Sequence, residues 1–394
     1  MMNSKNGRPL KIAYMCDISP EHVNPYSGGN TRIYNALCKH AGEVTILSNS
    51  WHLAEPIHRL IYRMPDAVSL RLRYRAHLAL AAVIARGVHR ELLRDKYDVL
   101  FGAYSFHSLY RVTPPYPMVT AYTSDATPTS YKRSEVGQYF GSYLRASRLL
   151  DPLILRAETS VFSSRDLLFW PGEWQKNAID PLHGLTDEQS RIVPWGANID
   201  DPGVVDEPPS LSNDTPVRLH FIGRDWKAKG GPFITGVLRT LLTRGIKAEL
   251  SVVGCTPPDE DLLPEVKVYA SLDKSIPEEL ALFERLLREA HFLTMASFES
   301  WGFAYCEASA YGLPSLCLRL GGIPVFDGVN GHALPGNAKP EDFADTIAKY
   351  LNDPSRYAAL RRSTRRIWEN ELNWDAWGKS VAAQLREAVA NKEQ

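Results

Sequence analysis

The sequence lacks net charge. Across 394 residues, 45 lysines and arginines balance 45 aspartates and glutamates. No general attraction to a polyanion follows from such a balance, so nucleic acid is not an expected partner and any anionic ligand must be met locally. Cysteine is also scarce: Cys16, Cys38, Cys255, Cys306 and Cys317 are odd in number and form neither C-x-x-C nor zinc-ligand spacings. That argues against a disulfide framework or a metal site and for a reducing compartment. Long apolar runs are missing. The longest, 78–85, falls well short of the roughly 20 residues that cross a bilayer, and 10–16 is too short and too interrupted for a signal peptide. A cytoplasmic location is the expectation.

What is present is enough apolar sequence, 44% against 23% charged, for a packed protein of about two to three domains at roughly 150 residues each. Short β-rich runs alternate with helical patterns, which predicts an α/β chain with doubly wound parallel sheets. The first set of expected strands is 11–16, 43–47, 99–102, 118–121 and 160–163. A second set follows at 217–222, 248–253, 266–269, 292–295 and 314–318. Between them, 200–216 is rich in Pro, Asp and Ser and reads as a linker. The expected organisation is an N-terminal domain over 1–199 and a C-terminal domain over 217–372, with a helix over 373–394 packing back on the first. Two such halves imply a central cleft, with ligands at the carboxyl ends of strands.

The segment FIGRDWKAKGG over 221–231 follows a strand and precedes a helix. Gly223 can turn the chain sharply, Gly230 and Gly231 open the helix where free N–H groups attract anions, and Arg224 and Lys229 can converge on one anionic group. A diphosphate needs that set without a metal; solvated cations on an ordinary turn are the alternative. Lys227 reads as solvated and Trp226 as a packing residue. In FESWGFAYCEAS over 298–309, Glu299 ends a loop and a helix starts near Gly302, burying Glu307. A buried carboxylate needs partners, and the paired hydroxyls of a ribose or sugar would supply them.

Together these segments resemble the retaining GT-B glycosyltransferases of family 4. The family's diphosphate motif is matched by Gly223, Arg224, Lys229 and Gly230, and its E-x7-E motif by Glu299 and Glu307. Ala308-Ser309, Gly312-Leu313-Pro314, Gly321-Gly322-Ile323-Pro324 and Asn330-Gly331 match as well, and 193–198 resembles the end of the family's N-terminal domain. The resemblance is strong over about 190–350 and thin before that. It implies two Rossmann-like domains and transfer of a sugar, hexosyl-like, from a nucleotide diphosphate donor to an acceptor hydroxyl with retention. Acceptors would be glycans, lipid-linked or small molecules, in polysaccharide, glycolipid or other glycoconjugate synthesis. No cofactor or metal is implied. Arg224 and Lys229 would hold the diphosphate, Glu307 the ribose and Glu299 the transferred sugar, with Gly302 and Phe303 among the donor contacts. Gly28 and Gly29 resemble the family's glycine loop, although a plain turn reads equally well. Base contacts are expected near 269–272.

Two departures stand out. Many relatives carry a histidine after the fourth strand, where this chain has Asp125. Asp125 could serve the acceptor side of catalysis or cap a helix, and His107 reads as a packing or surface residue. Val325 stands where relatives often place a glutamate. An epimerase or phosphorylase on the same two domains, or a two-domain sugar-binding protein, remains the rival reading. Between 56 and 94, Arg59, Arg63, Arg71, Arg73, Arg75, Arg86, Arg90 and Arg94 lie among apolar residues, suiting either peripheral membrane contact or a solvated face. Asp259-Glu260-Asp261 reads as a solvated acidic loop rather than a metal-binding D-x-D.

Overall fold

The computed structural model describes residues 8–22, 25–48, 50–64, 66–135, 148–203, 210–212 and 214–393. The chain forms two compact units: Met1–Trp195 with Trp374–Gln394, and Gly196–Asn373. The division thus falls ahead of 200–216. Leu211, within that segment, is buried in the second unit's core.

The first unit holds a six-stranded parallel sheet of β1 (Leu10–Met15), β2 (Gly42–Ile46), β3 (Val99–Ala103), β4 (Val119–Thr123), β5 (Leu167–Trp170) and β6 (Ser190–Ile192). Their order is β2-β1-β3-β4-β5-β6, with Ile12 opposite Val99 and Val99 opposite Val119. Every residue of β3, β4 and β5 is buried, because a parallel sheet covered on both faces needs apolar runs rather than alternation.

One expected strand is corrected: 160–163 is the end of the helix Asp151–Phe162, and the strand is β5. Ala157 and Val161, four apart and both buried, carry a helical stripe that the short Ser-Val-Phe-Ser run obscures. Edge strand β6 was not anticipated, being short and polar. The C-terminal helix Trp374–Glu393 lies along the helix Gly29–His40. Asp375 takes His40 Nε2 at 2.7 Å and Lys39 at 2.6 Å, and Lys379 with Lys39 holds its carboxyl well below the usual range.

The second unit repeats the plan with β7 (Val217–Ile222), β8 (Ala248–Val253), β9 (Val266–Tyr269), β10 (Phe292–Met295), β11 (Ser315–Leu318) and β12 (Gly331–Leu334). All pairs are parallel, in the order β12-β11-β10-β7-β8-β9. The first five lie where the apolar runs predicted, and edge strand β12 was not anticipated. Each sheet therefore reverses its strand order once, between β1 and β3 and between β7 and β10. Crevices open at the carboxyl ends of such strand pairs.

Candidate active site

In the second unit, the turn after β7 carries Gly223 and Arg224 and leads through Lys229 to the helix Gly231–Thr243. The turn is tight: Asp225 Oδ1 accepts the Ala228 N–H at 2.9 Å, and its carbonyl accepts the Lys229 N–H at 3.0 Å. Gly230, at φ 75°, caps the helix, and a Cβ there would lie 2.4 Å from the Ala296 carbonyl oxygen. Only glycine lets this turn sit against the end of β10.

The expected free N–H groups are not there. Gly230 donates to Lys227 O at 3.1 Å, Gly231 to Trp226 O at 2.7 Å and Phe233 to Gly230 O at 3.1 Å, while Pro232 has no N–H. The turn satisfies its own backbone, so the helix offers an anion its dipole, and the direct donors are side chains. Trp226 packs 4.9 Å from the Phe221 ring and donates to Asp261 Oδ2 at 2.8 Å. Asp261 is thus buried and structural, which corrects the solvated reading at that residue, while Asp259 and Glu260 are exposed. Lys227 is exposed.

The segment after β10 meets this turn. Glu299 Oε1 forms an ion pair with Lys229 Nζ and accepts the Ser297 hydroxyl at 2.8 Å. Gly321-Gly322 fixes its main chain: Gly322 N–H donates to Glu299 O at 2.9 Å, and a Cβ on Gly321 would lie 2.3 Å from that oxygen. Arg224 is exposed, and its guanidinium has no ion-pair or hydrogen-bond partner among the described residues. Gly302 caps the helix Phe303–Ala310, with Phe303 half-buried at its start. Glu307, inside that helix, is buried and pairs with Lys274 at 3.4 Å. Nothing in the sequence signals Lys274, a single lysine in a loop without a motif. Asn330 bonds Pro324 O at 2.8 Å and Ser309 Oγ at 3.3 Å, so this motif residue holds the loop together. Val325 is buried.

In the first unit, Gly28, at φ 84°, caps the helix Gly29–His40, where Gly29 and Asn30 are buried. Asn30 accepts from Tyr14 Oη at 2.6 Å and donates to Ile18 O at 2.9 Å. Asp125 is half-buried in the loop after β4. It is not the cap of the next helix, Pro128–Arg133: Thr127 is, accepting the Ser130 N–H at 3.1 Å. That helix start is also held by buried Glu158, which accepts the Thr129 N–H at 3.0 Å.

His107 is buried in the crevice at the carboxyl ends of β1 and β3, beside Asp17, Ser48, Trp51, His58 and His77. The His77 and His107 rings meet edge-on at 4.9 Å, and Trp51 stacks on His58 at 4.6 Å. Sequence reading missed Asp17, His58 and His77, which share no spacing and are gathered only by topology. Arg59, Arg63, Arg86, Arg90 and Arg94 are exposed and Arg75 is half-buried; the side chains of Arg71 and Arg73 lie outside the described residues. The apolar stripe of the helix Asp66–Leu92, including Ile84, Val88 and Leu92, faces the core. Among the described residues, the exposed large apolar side chains of this stretch are Ile57 and Leu60, on either side of Arg59 by two positions and one, and Leu93 near its end; Leu53, just before the stretch, is exposed as well. Among the described residues, no helix is long and apolar enough to cross a membrane, and no His, Cys, Asp and Glu side chains group as a metal site.

Residues 216–353 match the family described as Glycosyl transferases group 1. The D-inositol 3-phosphate glycosyltransferase of Corynebacterium glutamicum is 26% identical over 244 residues, 55% of this chain and 57% of that protein. Its Corynebacterium efficiens counterpart is 32% identical over 184 residues, 43% of this chain and 42% of that protein. The chain thus spans about half the length of the curated relatives it matches. The solved sucrose-phosphate synthase of Thermosynechococcus elongatus aligns with TM-score 0.65 and 16% identity over 98% of this chain and 100% of its own. HepE of Anabaena, in complex with UDP and glucose, aligns with TM-score 0.59 and 14% identity over 96% of this chain and 100% of its own. Residues 216–353 are thus similar in sequence to the group 1 glycosyltransferases, and the two-sheet α/β fold is the GT-B fold of the solved glycosyltransferase structures.

Proposed function

We propose that the protein is a retaining glycosyltransferase that moves a sugar from a nucleotide diphosphate donor to an acceptor hydroxyl. The observation that carries this reading is the Lys229–Glu299 ion pair, which joins the segment after β7, bearing Arg224, to the segment after β10, bearing Glu307. Two motifs some 70 residues apart meet through the Lys229–Glu299 pair. The solved HepE complex with UDP and glucose, and the curated inositol 3-phosphate glycosyltransferases, support the same class of donor and reaction.

In this reading Arg224 and Lys229 receive the diphosphate, one as a planar fork and one as a point charge. Glu307 takes the ribose hydroxyls and Glu299 the transferred sugar, with Gly302 and Phe303 beside it. In the same reading Gly28, Gly29 and Asp125 are the acceptor-side residues of the first unit. As the sugar–diphosphate bond breaks, charge grows on the leaving oxygen, where the two cations stabilise it. That oxygen takes the acceptor's proton as the acceptor oxygen bonds the sugar carbon on the same face, which retains configuration.

The cations perform the task a metal would, so turnover should persist in excess EDTA. The five free thiols suit a cytoplasmic protein, and exposed Leu53, Ile57 and Leu60 with Arg59 suit contact with the inner membrane face. The test is a thermal-shift panel of UDP, GDP, ADP and their sugars, followed by mass spectrometry of a donor mixed with lysate acceptors. A nucleotide at a hundredfold excess over Kd stabilises by about 2.7 kcal/mol, and a sugar-adduct mass marks transfer. An isomerised donor, or no change at all, would refute the assignment.

A further inference from the structure

We infer that Lys274 is a positioning residue of the ribose site, fixing the carboxylate of Glu307 for the nucleotide's 2′- and 3′-hydroxyls; this rests on the donor reading above. Glu307 sits in a buried run, Tyr305 to Ala310, and its side chain is 9% exposed. A carboxylate so enclosed needs a counter-charge, and among the described residues its ion-pair partner is Lys274 Nζ, 3.4 Å from Oε2. The ammonium, on a side chain 41% exposed, has a second contact. It lies 4.1 Å from the centre of the Phe283 ring, and Phe283 is buried on the helix Pro277–Glu289.

The loop bearing Lys274 is stitched on both sides. Asp273 Oδ1 accepts the Ser275 N–H at 2.9 Å and its hydroxyl at 2.7 Å, and Glu279 accepts the Asp273 N–H at 2.5 Å. Lys274 engages Oε2 and leaves Oε1 without a partner among the described residues. A vicinal diol donates two hydrogen bonds to a carboxylate held in one plane. A lysine that meets a ring and sits on a stitched loop biases that plane before the nucleotide arrives, so part of the ordering cost is met in folding rather than on binding. Lys274 would therefore act on the ribose through Glu307, without touching the ligand.

The test is calorimetric titration of the full chain with UDP, GDP and ADP and their 2′-deoxy forms. Wild-type protein should prefer the ribonucleotide by roughly tenfold or more, the scale of a hydrogen bond to a charged group. Lys274→Met, which keeps an unbranched stem but removes the charge, should cut that preference to about threefold or less, with Lys274→Arg restoring most of it and melting temperatures near wild type. An unchanged preference in Lys274→Met, with Glu307→Gln abolishing it, makes Lys274 a bystander and overturns the inference. Equal weakening of both nucleotide forms means Lys274 touches the ligand directly, which also overturns it. If none of the three nucleotides binds wild-type protein, the donor reading itself fails, and this inference with it.

Discussion

Lys229 and Glu299 neutralise one another without ligand, with side chains 31% and 15% exposed. An arriving diphosphate must compete with Glu299 for Lys229, whereas Arg224 has no ion-pair partner among the described residues. Arg224→Ala and Lys229→Ala should each weaken diphosphate binding roughly tenfold or more, since a charge-assisted hydrogen bond is worth about 1.5–3 kcal/mol. Glu299→Gln should act oppositely on binding. It removes the competing anion, so nucleotide diphosphate affinity stays level or rises, while kcat falls as the sugar loses its contact in the transition state. Calorimetry and initial rates with saturating donor measure both. Weaker diphosphate binding in Glu299→Gln, with kcat at wild-type level, would assign Glu299 to the phosphates instead. These three residues were legible in the sequence because their chemistry is fixed within short motifs. Lys274, His58 and His77 were not, because their neighbours come from distant segments.

Strands β7 and β10, which flank the site, carry a pH response. Burial pushes His220, inside β7, down to about 3 and His291, just before β10, down to about 4, from 6.5. His291 Nδ1 accepts the Arg218 N–H at 2.8 Å, so protonation there would cost a sheet contact. The unfolded chain binds more protons than the folded one between pH 6.5 and about 4, so stability present above pH 6.5 is lost as pH falls. The slope should be roughly 1 kcal/mol per pH unit for each histidine. Urea midpoints between pH 7 and 4.5 should show it, and a His220→Gln/His291→Asn variant should show a shallower slope; an identical slope would mean the histidines titrate normally.

Turn geometry gives a second comparison at this scale. Gly230 and Gly245 share φ near 75°, at 75° and 76°, but a Cβ meets Ala296 O at the first and nothing within 4 Å at the second. Gly245→Ala should cost about 1 kcal/mol for left-handed strain alone, and Gly230→Ala roughly 2–5 kcal/mol with the clash added. Equal urea midpoints for the two would show that the turn after β7 yields to the methyl group. Segment 160–163 shows where element reading fails: four residues cannot separate a strand from a helix end, and only the stripe back to Ala157 does so.

For the whole molecule, zero net charge leaves membrane affinity to the local patch of Leu53, Ile57, Leu60 and Arg59. Co-sedimentation with anionic vesicles should exceed that with neutral ones at low salt and decline toward physiological ionic strength, where screening reaches about 8 Å. Leu60→Asp should reduce it further. Equal pelleting with both vesicle types would make the arginines a solvated face and favour a soluble acceptor.

The sequence by itself determined the parallel α/β character, nearly every central strand and the motif residues around β7 and β10. These follow from short-range rules, since apolar runs must be buried and glycine admits the left-handed turns that other residues resist. Tertiary structure alone decided that the turn at Gly230 consumes its own N–H groups and that Asp261 serves Trp226. It also paired Glu307 with Lys274 and gathered His58, His77 and His107 in one crevice. Each of these depends on strand order and loop approach, which no local period encodes, because residues far apart in the chain become neighbours only when a sheet reverses its order.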